Sequence, residues 1–244
     1  MRRLVDHPEH LDGALADRAT LDGNLRDLAR INRILGGTRL SLDAMRRLVE
    51  GTDPAGRVAN RPVATLHVLD VGTGAADIPL ALTRAPGPWS QVRVTATDSR
   101  PEILAAAARL SPELLRPGPV TLAEADGRSL PFPDGAFDVA HASLVLHHLP
   151  REDAVAFLGE LCRVARIGVV VNDLARSRLN WLGAWLLLHA STRNPWTLHD
   201  GVLSVRRAWT VDEARALAVE AGLRPIATRI GFAGHRWAFA AVPR

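Results

Sequence analysis

Three short motifs in the first half of the chain place glycines and carboxylates where a predicted strand ends. They are Asp70-Val71-Gly72-Thr73-Gly74, Asp98 and Asp126-Gly127. Glycines allow a tight turn and a close approach of the backbone to a ligand, and a carboxylate about two dozen residues later accepts both hydroxyls of a ribose. Asp126-Gly127 suits the amino group of an adenine, although Asp-Gly is also common in plain turns. The motifs predict a nucleoside site.

Histidines and carboxylates farther along the chain could move a proton. His199 lies in segment 197–208, which is predicted to be a loop, and it is the favoured general base, with Asp173 or Asp200 to orient it. His148, which follows the fourth predicted strand, is a second candidate. Two plainer interpretations stay open, namely that His199 is only a loop or capping residue and that Asp173 caps a helix. Other histidines are expected away from this edge of the sheet: His7, His10, His67 and His235.

Seven apolar runs predict the strands that position these residues, with helical segments between most of them. The alternation predicts an α/β, Rossmann-like, seven-stranded and mostly parallel sheet. The last two runs are separated by residues 231–234 alone, which leaves no room for a crossover helix, so the last strand must be antiparallel. The predicted strands are 66–71, 92–97, 120–123, 137–142, 168–172, 225–230 and 236–242.

The first 62 residues differ from the rest in pattern. Apolar residues at helical spacing over 11–49 predict two helices, the first stopped by Gly36-Gly37 and the second capped by Ser41. Residues 51–62 are predicted to be a loop. The expected organisation is an N-terminal helical lid and linker over 1–62 and a nucleoside-binding domain over 63–244.

Composition excludes several classes of protein. The net charge is +4 and every basic side chain is arginine, without a basic run interleaved with aromatics, so no nucleic-acid partner is expected. The single cysteine, Cys162, fits a reducing compartment and is predicted to be structural. We expect no signal peptide, no transmembrane segment and a cytoplasmic location.

Beyond these motifs, the chain resembles the class I S-adenosylmethionine-dependent methyltransferases. The segments Leu130-Pro131-Phe132-Pro133-Asp134-Gly135-Ala136-Phe137-Asp138-Val139 and Leu144-Val145-Leu146-His147-His148-Leu149 are similar to patterns of the ubiquinone and menaquinone methyltransferase branch. Residues 27–37 also resemble a phrase in methyltransferases associated with phenolic lipids and polyketides. Ala76 replaces a third glycine, and residues 163–168 lack the family's usual turn.

The resemblance implies a set of S-adenosyl-L-methionine contacts. Asp70, Gly72 and Gly74 would line the methionine end, and Ala142 or Ser143 would lie below the methyl group. Arg33 would pair with the cofactor carboxylate, unless it is simply solvated. The remaining contacts would be Asp98 to the ribose, and Asp126 with Gly127 to the adenine.

The function implied is methyl transfer to a phenolic or quinol small molecule, with O-methylation favoured. C-methylation of a prenylated quinol and a catalytically silent, regulatory cofactor-binding module are the alternatives, and the predicted final antiparallel strand disfavours an NAD-dependent oxidoreductase. The apolar stretch 181–196 would form a wall for an aromatic or lipid-like acceptor, a homodimer interface or ordinary core. No metal site is predicted.

Overall fold

One seven-stranded sheet organises the part of the chain that the structure describes. The structure, a computed structural model, describes residues 1–5, 7–15, 17–51 and 63–244. The strand order is β3-β2-β1-β4-β5-β7-β6. The strands are β1 Val63–Val71, β2 Trp89–Asp98, β3 Val120–Glu124, β4 Phe137–Ser143, β5 Ala165–Leu174, β6 Leu223–Ile230 and β7 Arg236–Pro243.

The pairing confirms the predicted α/β architecture. Strands β1 to β5 pair in parallel, whereas β7 is antiparallel to both β5 and β6. Because β7 runs against its neighbours, its first residue, Arg236, pairs with Leu174 at the carboxyl end of β5. The carboxyl edge of the parallel strands therefore receives the start of β7, which sequence spacing alone does not show.

Eight α-helices flank the sheet in the described residues. The first two precede the sheet, and the rest lie after β1, β2, β4, β5 and before β6. Their bounds are α1 Arg18–Ile34, α2 Gly37–Glu50, α3 Asp77–Arg84, α4 Pro101–Leu110, α5 Arg151–Val164, α6 Arg178–Ser191, α7 Pro195–Arg207 and α8 Val211–Glu220. None of the helices in these ranges is long and apolar enough to cross a bilayer.

The second N-terminal helix begins five residues earlier than predicted. Gly36, at φ +79°, makes the break after α1, and α2 starts at Gly37. Ser41 is therefore not the helix cap; it lies inside α2, fully buried, with its hydroxyl in a polar network described below. The predicted loop 51–62 lies outside the described residues except for Gly51.

The segment containing His199 is a helix, which corrects the predicted loop. Asn194 caps α7 by accepting hydrogen bonds from the backbone N–H groups of Trp196 and Thr197, and Pro195 occupies the first turn. These start signals are legible in the sequence, but the apolar residues of 197–208 do not follow one helical face clearly. The capping residues of this segment therefore indicate the helix, whereas its apolar pattern does not.

The core continues from the sheet into the N-terminal region. Met45 and Leu48 of α2 are buried in one apolar cluster with Val170 of β5 and Ala238 of β7. On the other side of the sheet, α5 and α8 pack with Trp237 in a second cluster. Because α2 packs in the core of the sheet, the part of the predicted N-terminal lid that could still cover the sheet is α1 with the residues before it. The division at residue 62 stays a prediction.

Candidate functional site

A cavity of about 880 Å³ lies at the carboxyl edge of the parallel strands. Its floor comes from the turns after β1, β2, β3 and β4, and its roof from α1, α6 and the turn between β6 and β7. This is where open α/β sheets bind ligands, because loops that leave neighbouring strands in opposite directions open a crevice there. Most residues predicted from the sequence to bind a ligand line this cavity.

The glycine turn after β1 has the backbone that the sequence predicted. Gly72 and Gly74 have φ of +71° and +54°, in the left-handed region that side chains other than glycine avoid. A Cβ on Gly72 would lie 2.4 Å from Cγ2 of Val145, so the turn also has no room for a side chain. Both glycines line the cavity. Their backbone is thus open to a ligand.

Asp98 ends β2 and faces this turn across the cavity floor. Its Oδ2 accepts a hydrogen bond from the Gly74 N–H at 3.3 Å, and its Oδ1 accepts one from the Arg100 N–H at 3.2 Å. Burial raises the pKa of Asp98 to about 6, although both backbone hydrogen bonds act in the opposite direction. The side chain is an acceptor whose neighbours do not satisfy all its lone pairs, as a ribose partner requires.

The turn after β3 also lines the cavity. Asp126 is half-exposed and pairs with Arg128, with an Oδ2–Nη2 distance of 2.8 Å, and this pairing lowers the pKa of Asp126. A Cβ on Gly127 would lie 2.5 Å from the ring of Phe157. Gly127 is therefore required by packing against α5, independently of any ligand.

Two hydroxyls on the cavity floor have no hydrogen-bond partner. Ser143 ends β4 and Thr73 lies in the glycine turn; both line the cavity, and each hydroxyl oxygen is buried and unpaired. A buried unpaired hydroxyl costs free energy unless a ligand or water satisfies it. The position of Ser143 fits the contact predicted for it near the reacting end of a cofactor.

The carboxylate of Asp70 is fixed by a buried polar chain. Its Oδ1 lies 2.5 Å from Nδ1 of His141 on β4, and Nε2 of the same ring lies 2.9 Å from the Ser41 hydroxyl. Asn172 on β5 donates to Ser41 and to the Gly37 carbonyl, at 2.9 and 2.8 Å. The chain ties the glycine-turn carboxylate to α2. Sequence analysis missed His141, although a histidine inside the apolar run of β4 was a visible signal.

Arg33 does not line the cavity; it is exposed at the end of α1. Its neighbour Asn32 faces inward, donating to Asp77 at 2.9 Å and accepting from the guanidinium of Arg236. Burial lowers the pKa of Arg236 to about 10, its Nε has no partner, and the side chain lines the cavity. Arg236 therefore places a buried cation in the cavity lining, and the sequence analysis did not single it out.

His147 and Asp173 form a buried pair beside the cavity, His147 in the turn after β4 and Asp173 near the end of β5. Nδ1 of His147 lies 2.7 Å from Oδ1 of Asp173, and the His147 N–H donates to Oδ2 at 3.0 Å. His147 lines the cavity, whereas Asp173 is wholly buried behind it. Burial alone would raise the pKa of Asp173, but its interaction with His147 holds that pKa below its usual range. The pair fixes the ring and directs Nε2 away from Asp173.

His148 is held by carboxylates from the N-terminal segment. Its Nδ1 lies 2.8 Å from Oδ1 of Asp12, and its Nε2 lies 3.8 Å from Oε2 of Glu9. Burial alone would lower the pKa of His148, but the charges of Glu9 and Asp12 outweigh it and raise the pKa to about 9. His148 is therefore cationic at neutral pH. Arg207 pairs with the same two carboxylates at 3.3 and 2.7 Å.

His199 lies outside this group. It does not line the cavity; its Nδ1 contacts Oδ1 of Asp200 at 2.8 Å, and its ring meets that of His10 at 4.6 Å between centroids. Asp173 contacts His147 and not His199. One histidine expected far from the site needs correction, because His235 lines the cavity, whereas His10 packs beside His199 and does not line it.

Two groups of described residues bring three possible metal ligands within 4.8 Å of one another. They are Glu9 with His147 and His148, and His10 with His199 and Asp200. In the first group Glu9 already accepts from Arg207 and from the Ser204 hydroxyl, the latter at 2.9 Å. These contacts already give both carboxylate oxygens of Glu9 a donor. We therefore interpret the first group as a cluster of ion pairs and proton-carrying side chains.

Comparison with known proteins agrees with this geometry. Residues 68–168 match the family described as a methyltransferase domain. A demethylmenaquinone methyltransferase from Thermus thermophilus is 39% identical over 106 residues, which are 43% of this chain and 44% of that protein. The match thus spans less than half the length of this curated relative.

Solved structures share the fold over most of the chain. A SAM-dependent methyltransferase from Aquifex aeolicus has a TM-score of 0.60 at 20% identity and covers 90% of this chain and 97% of its own. Human N-acetylserotonin methyltransferase in complex with SAM has a TM-score of 0.61 at 14% identity, covering 93% and 56%. Residues 68–168 are therefore similar to a methyltransferase domain, and the chain shares the fold of solved S-adenosylmethionine-dependent methyltransferases.

Proposed function

We propose that the protein transfers a methyl group from S-adenosylmethionine to a phenolic or quinol small molecule, with oxygen as the favoured acceptor. The observation that carries the proposal is a single cavity lined by both the Asp98 rim and His147, which buried Asp173 orients. The rim suits a nucleoside, and the oriented histidine suits a weakly acidic hydroxyl. Their shared cavity brings cofactor and acceptor together.

The residues present fit this cofactor. Asp98 would accept the ribose hydroxyls, and Asp126 with Gly127 would contact the adenine. The Gly72–Gly74 backbone and Asp70 would hold the methionine end, where Arg236 would attract the carboxylate in place of the predicted Arg33. Unpaired Ser143 and Thr73 hydroxyls on the cavity floor support a polar ligand there.

When bound, S-adenosylmethionine supplies a methyl group that its sulfonium already activates, so the protein must align and deprotonate the acceptor. A phenol has a pKa near 10 and a histidine one near 6.5, a gap that corresponds to roughly 5 kcal/mol for complete proton transfer. Transfer concerted with methyl movement, or a nearby cation that stabilises the phenolate, lowers this barrier.

We assign the base to His147 and the cation to His148. Asp173 holds Nδ1 of His147, so Nε2, which lies 3.7 Å from Oε1 of Glu9, would accept the acceptor's proton. His148, cationic because Glu9 and Asp12 raise its pKa, would stabilise the developing phenolate. This differs from the sequence-based choice of His199 as the base, because His199 lies outside the cavity lining.

C-methylation of a quinol is the second candidate. It is supported by the 39% identity with a relative named for demethylmenaquinone, over 106 residues. The same base and cation would serve it, since a quinol carbon becomes nucleophilic when the ring hydroxyl loses its proton. Product mass spectra with fragmentation distinguish methyl on oxygen from methyl on carbon.

The test combines turnover with cofactor binding. Purified protein is incubated with labelled S-adenosylmethionine and a panel of phenols, quinols and resorcinols bearing alkyl chains, and products are identified by mass. We expect His147→Ala to lower kcat by about 100-fold or more while S-adenosylhomocysteine affinity stays within about twofold. His199→Ala is the matched control and should retain kcat.

Four results would contradict the proposal. Cofactor binding without product from any acceptor class would favour a silent regulatory module. Normal kcat in His147→Ala would remove the base assignment, and loss of kcat in His199→Ala alone would restore the sequence-based one. Failure of S-adenosylhomocysteine to bind the wild-type protein in a calorimeter would overturn the cofactor itself.

A further inference from the structure

The helix α6 exposes an unusual amount of apolar surface beside the cavity mouth. Leu188 is its only buried residue, whereas Leu179 is 73% exposed and Trp185 is 42% exposed. Trp181, Leu182 and Leu186 are also exposed. Contiguous exposed apolar patches on proteins mark contact with a partner or a membrane.

One face of α6 lines the cavity, and another face carries tryptophans that do not. Leu179, Leu182, Gly183, Leu186 and Leu187 recur at three- and four-residue spacing and line the cavity. Trp181 and Trp185 lie on an adjacent face and do not line it. The exposed apolar surface therefore reaches from the tryptophans to the wall of the cavity, with Arg178 and His189 between the two faces.

The turn between β6 and β7 extends this surface. Asn180 of α6 donates to the Gly234 carbonyl at 2.9 Å, which fixes the helix to the turn. Phe232 at the tip is 83% exposed and also lines the cavity, and Ile230 beside it is 57% exposed. We call α6 together with residues 230–234 the mouth face.

The charge of the mouth face has one sign. Residues 175–199 contain three arginines, Arg176, Arg178 and Arg193, and neither aspartate nor glutamate. Residues 223–244, which include the turn, contain four arginines and likewise no acidic residue. Arg178, the first residue of α6, and Arg193, just after its end, are exposed and make no salt bridge to another described residue, whereas Arg176 pairs with Glu213 and Arg236 is buried. Tryptophan, leucine and arginine in this arrangement are typical of helices that lie in the interface of an anionic bilayer.

We propose that the mouth face docks on an anionic lipid surface, so that an aromatic acceptor bearing an apolar chain enters the cavity directly from the bilayer. This deepens the proposed function, since it names the acceptor as an amphiphile. The apolar cavity wall between the mouth and His147 would hold the chain, while the hydroxyl reaches the base. A second copy on this face would close the mouth through which the cavity opens.

The test reads membrane binding without turnover, so it stands apart from the proposed reaction. Wild-type protein is sedimented with phosphatidylcholine vesicles and with vesicles containing phosphatidylglycerol, at low and at physiological salt. We expect binding to the anionic vesicles, weaker at higher salt, and quenching of tryptophan fluorescence by brominated lipid. The other tryptophans are buried or half-buried, so quenching reports Trp181 and Trp185.

Matched variants separate the contributions. Trp181→Ser with Trp185→Ser should lower vesicle affinity about tenfold or more, and Arg178→Gln with Arg193→Gln should lower it about thirtyfold. Leu115→Ser, at a residue 73% exposed and outside the mouth face, should leave affinity unchanged. Trp181→Phe with Trp185→Phe should keep binding and lose the quenching.

Specific outcomes would overturn the inference. They are no binding of wild-type protein to anionic vesicles at physiological salt, equal binding by the Trp→Ser pair and wild type, or a stable dimer in sedimentation equilibrium that the Trp→Ser pair converts to monomer. Turnover of a short-chain, water-soluble acceptor should persist in the Trp→Ser pair, because neither tryptophan lines the cavity. If the protein binds vesicles but turns over no acceptor, the proposed reaction is wrong and the proposed docking surface is still supported.

Discussion

Asp70 at the end of β1 and His141 on β4 are joined side chain to side chain, with 2.5 Å between Oδ1 and Nδ1. Both are buried, and the second ring nitrogen of His141 continues the contact to Ser41 on α2. A carboxylate of the cofactor turn is thereby oriented by a helix that precedes the sheet. Stability of α2 and geometry of the turn should therefore change together.

His141→Ala tests this coupling. The change leaves the Asp70 carboxylate and the Ser41 hydroxyl buried with one partner fewer, which costs about 2–4 kcal/mol. We expect the melting temperature to fall by several degrees and S-adenosylhomocysteine affinity to fall about tenfold, measured by calorimetry. His67→Ala, at an exposed position of β1, is the control and should change neither. A stable His141→Ala variant with normal affinity would disprove the coupling.

Cofactor affinity should depend on the ionisation of Asp98. Burial raises the pKa of this carboxyl to about 6 in the unliganded protein. A ribose needs the ionised form as a double acceptor, so affinity should be full above pH 7 and about tenfold weaker at pH 5. Calorimetric titrations of S-adenosylhomocysteine across this range check the expectation.

Asp98→Asn provides the comparison for that titration. The amide cannot ionise, so its affinity should be weak throughout and should lack the wild-type change near pH 6. A wild-type affinity that stays level from pH 5 to pH 7 would contradict the role of Asp98. The same would follow if Asp98→Asn bound as tightly as the wild type at pH 7.

Docking of the N-terminal segment should weaken in alkaline solution. The pKa of His148 is raised from 6.5 to about 9 by Glu9 and Asp12, so its stabilisation is complete below pH 6.5 and is lost as pH rises through about 9. His148→Gln should lower the melting temperature at pH 7, and the difference from wild type should shrink by pH 10. A difference that stays constant with pH would show that His148 is not cationic in the folded protein.

A methyl group on the glycine turn should be costly. Gly72→Ala adds a Cβ 2.4 Å from Val145 at φ +71°, so we expect destabilisation of about 1–3 kcal/mol and weaker cofactor binding. Gly159→Ala, inside α5 with no atom within 4 Å of the new Cβ, should raise stability by about 0.5–1 kcal/mol. Thermal melts of the two variants should therefore move in opposite directions.

The sequence predicted the sheet and its antiparallel ending because strand patterns and turn lengths are local properties. The positions of Asp98 and the Gly72–Gly74 turn at the cavity floor followed from the same local rules, since the carboxyl ends of parallel strands share an edge. The direction in which each side chain of a helix points was harder to predict. Arg33 and Asn32 are adjacent on α1, and one residue of rotation, about 100°, decides which faces the cavity.

Long-range contacts explain the residues that sequence reasoning missed. Asp12 meets His148 across 136 residues, and Glu9 meets Arg207 across 198. No period or spacing in the sequence links such pairs, so the cationic state of His148 could not be predicted. His199, the base chosen from the sequence, does not reach the cavity for a local reason. Helix α7 directs its ring toward Asp200 and His10.

The antiparallel course of β7 also has a practical meaning for redesign. The hairpin tip at residues 231–235 contributes Phe232, Ala233 and His235 to the cavity, while the carboxylates proposed to contact a nucleoside follow strands on the opposite half of the sheet. Lengthening or exchanging this tip alters the acceptor side without shifting the register of β1, β2 or β3. New acceptor preferences can be selected from libraries confined to these five positions, with the cofactor floor left as it is.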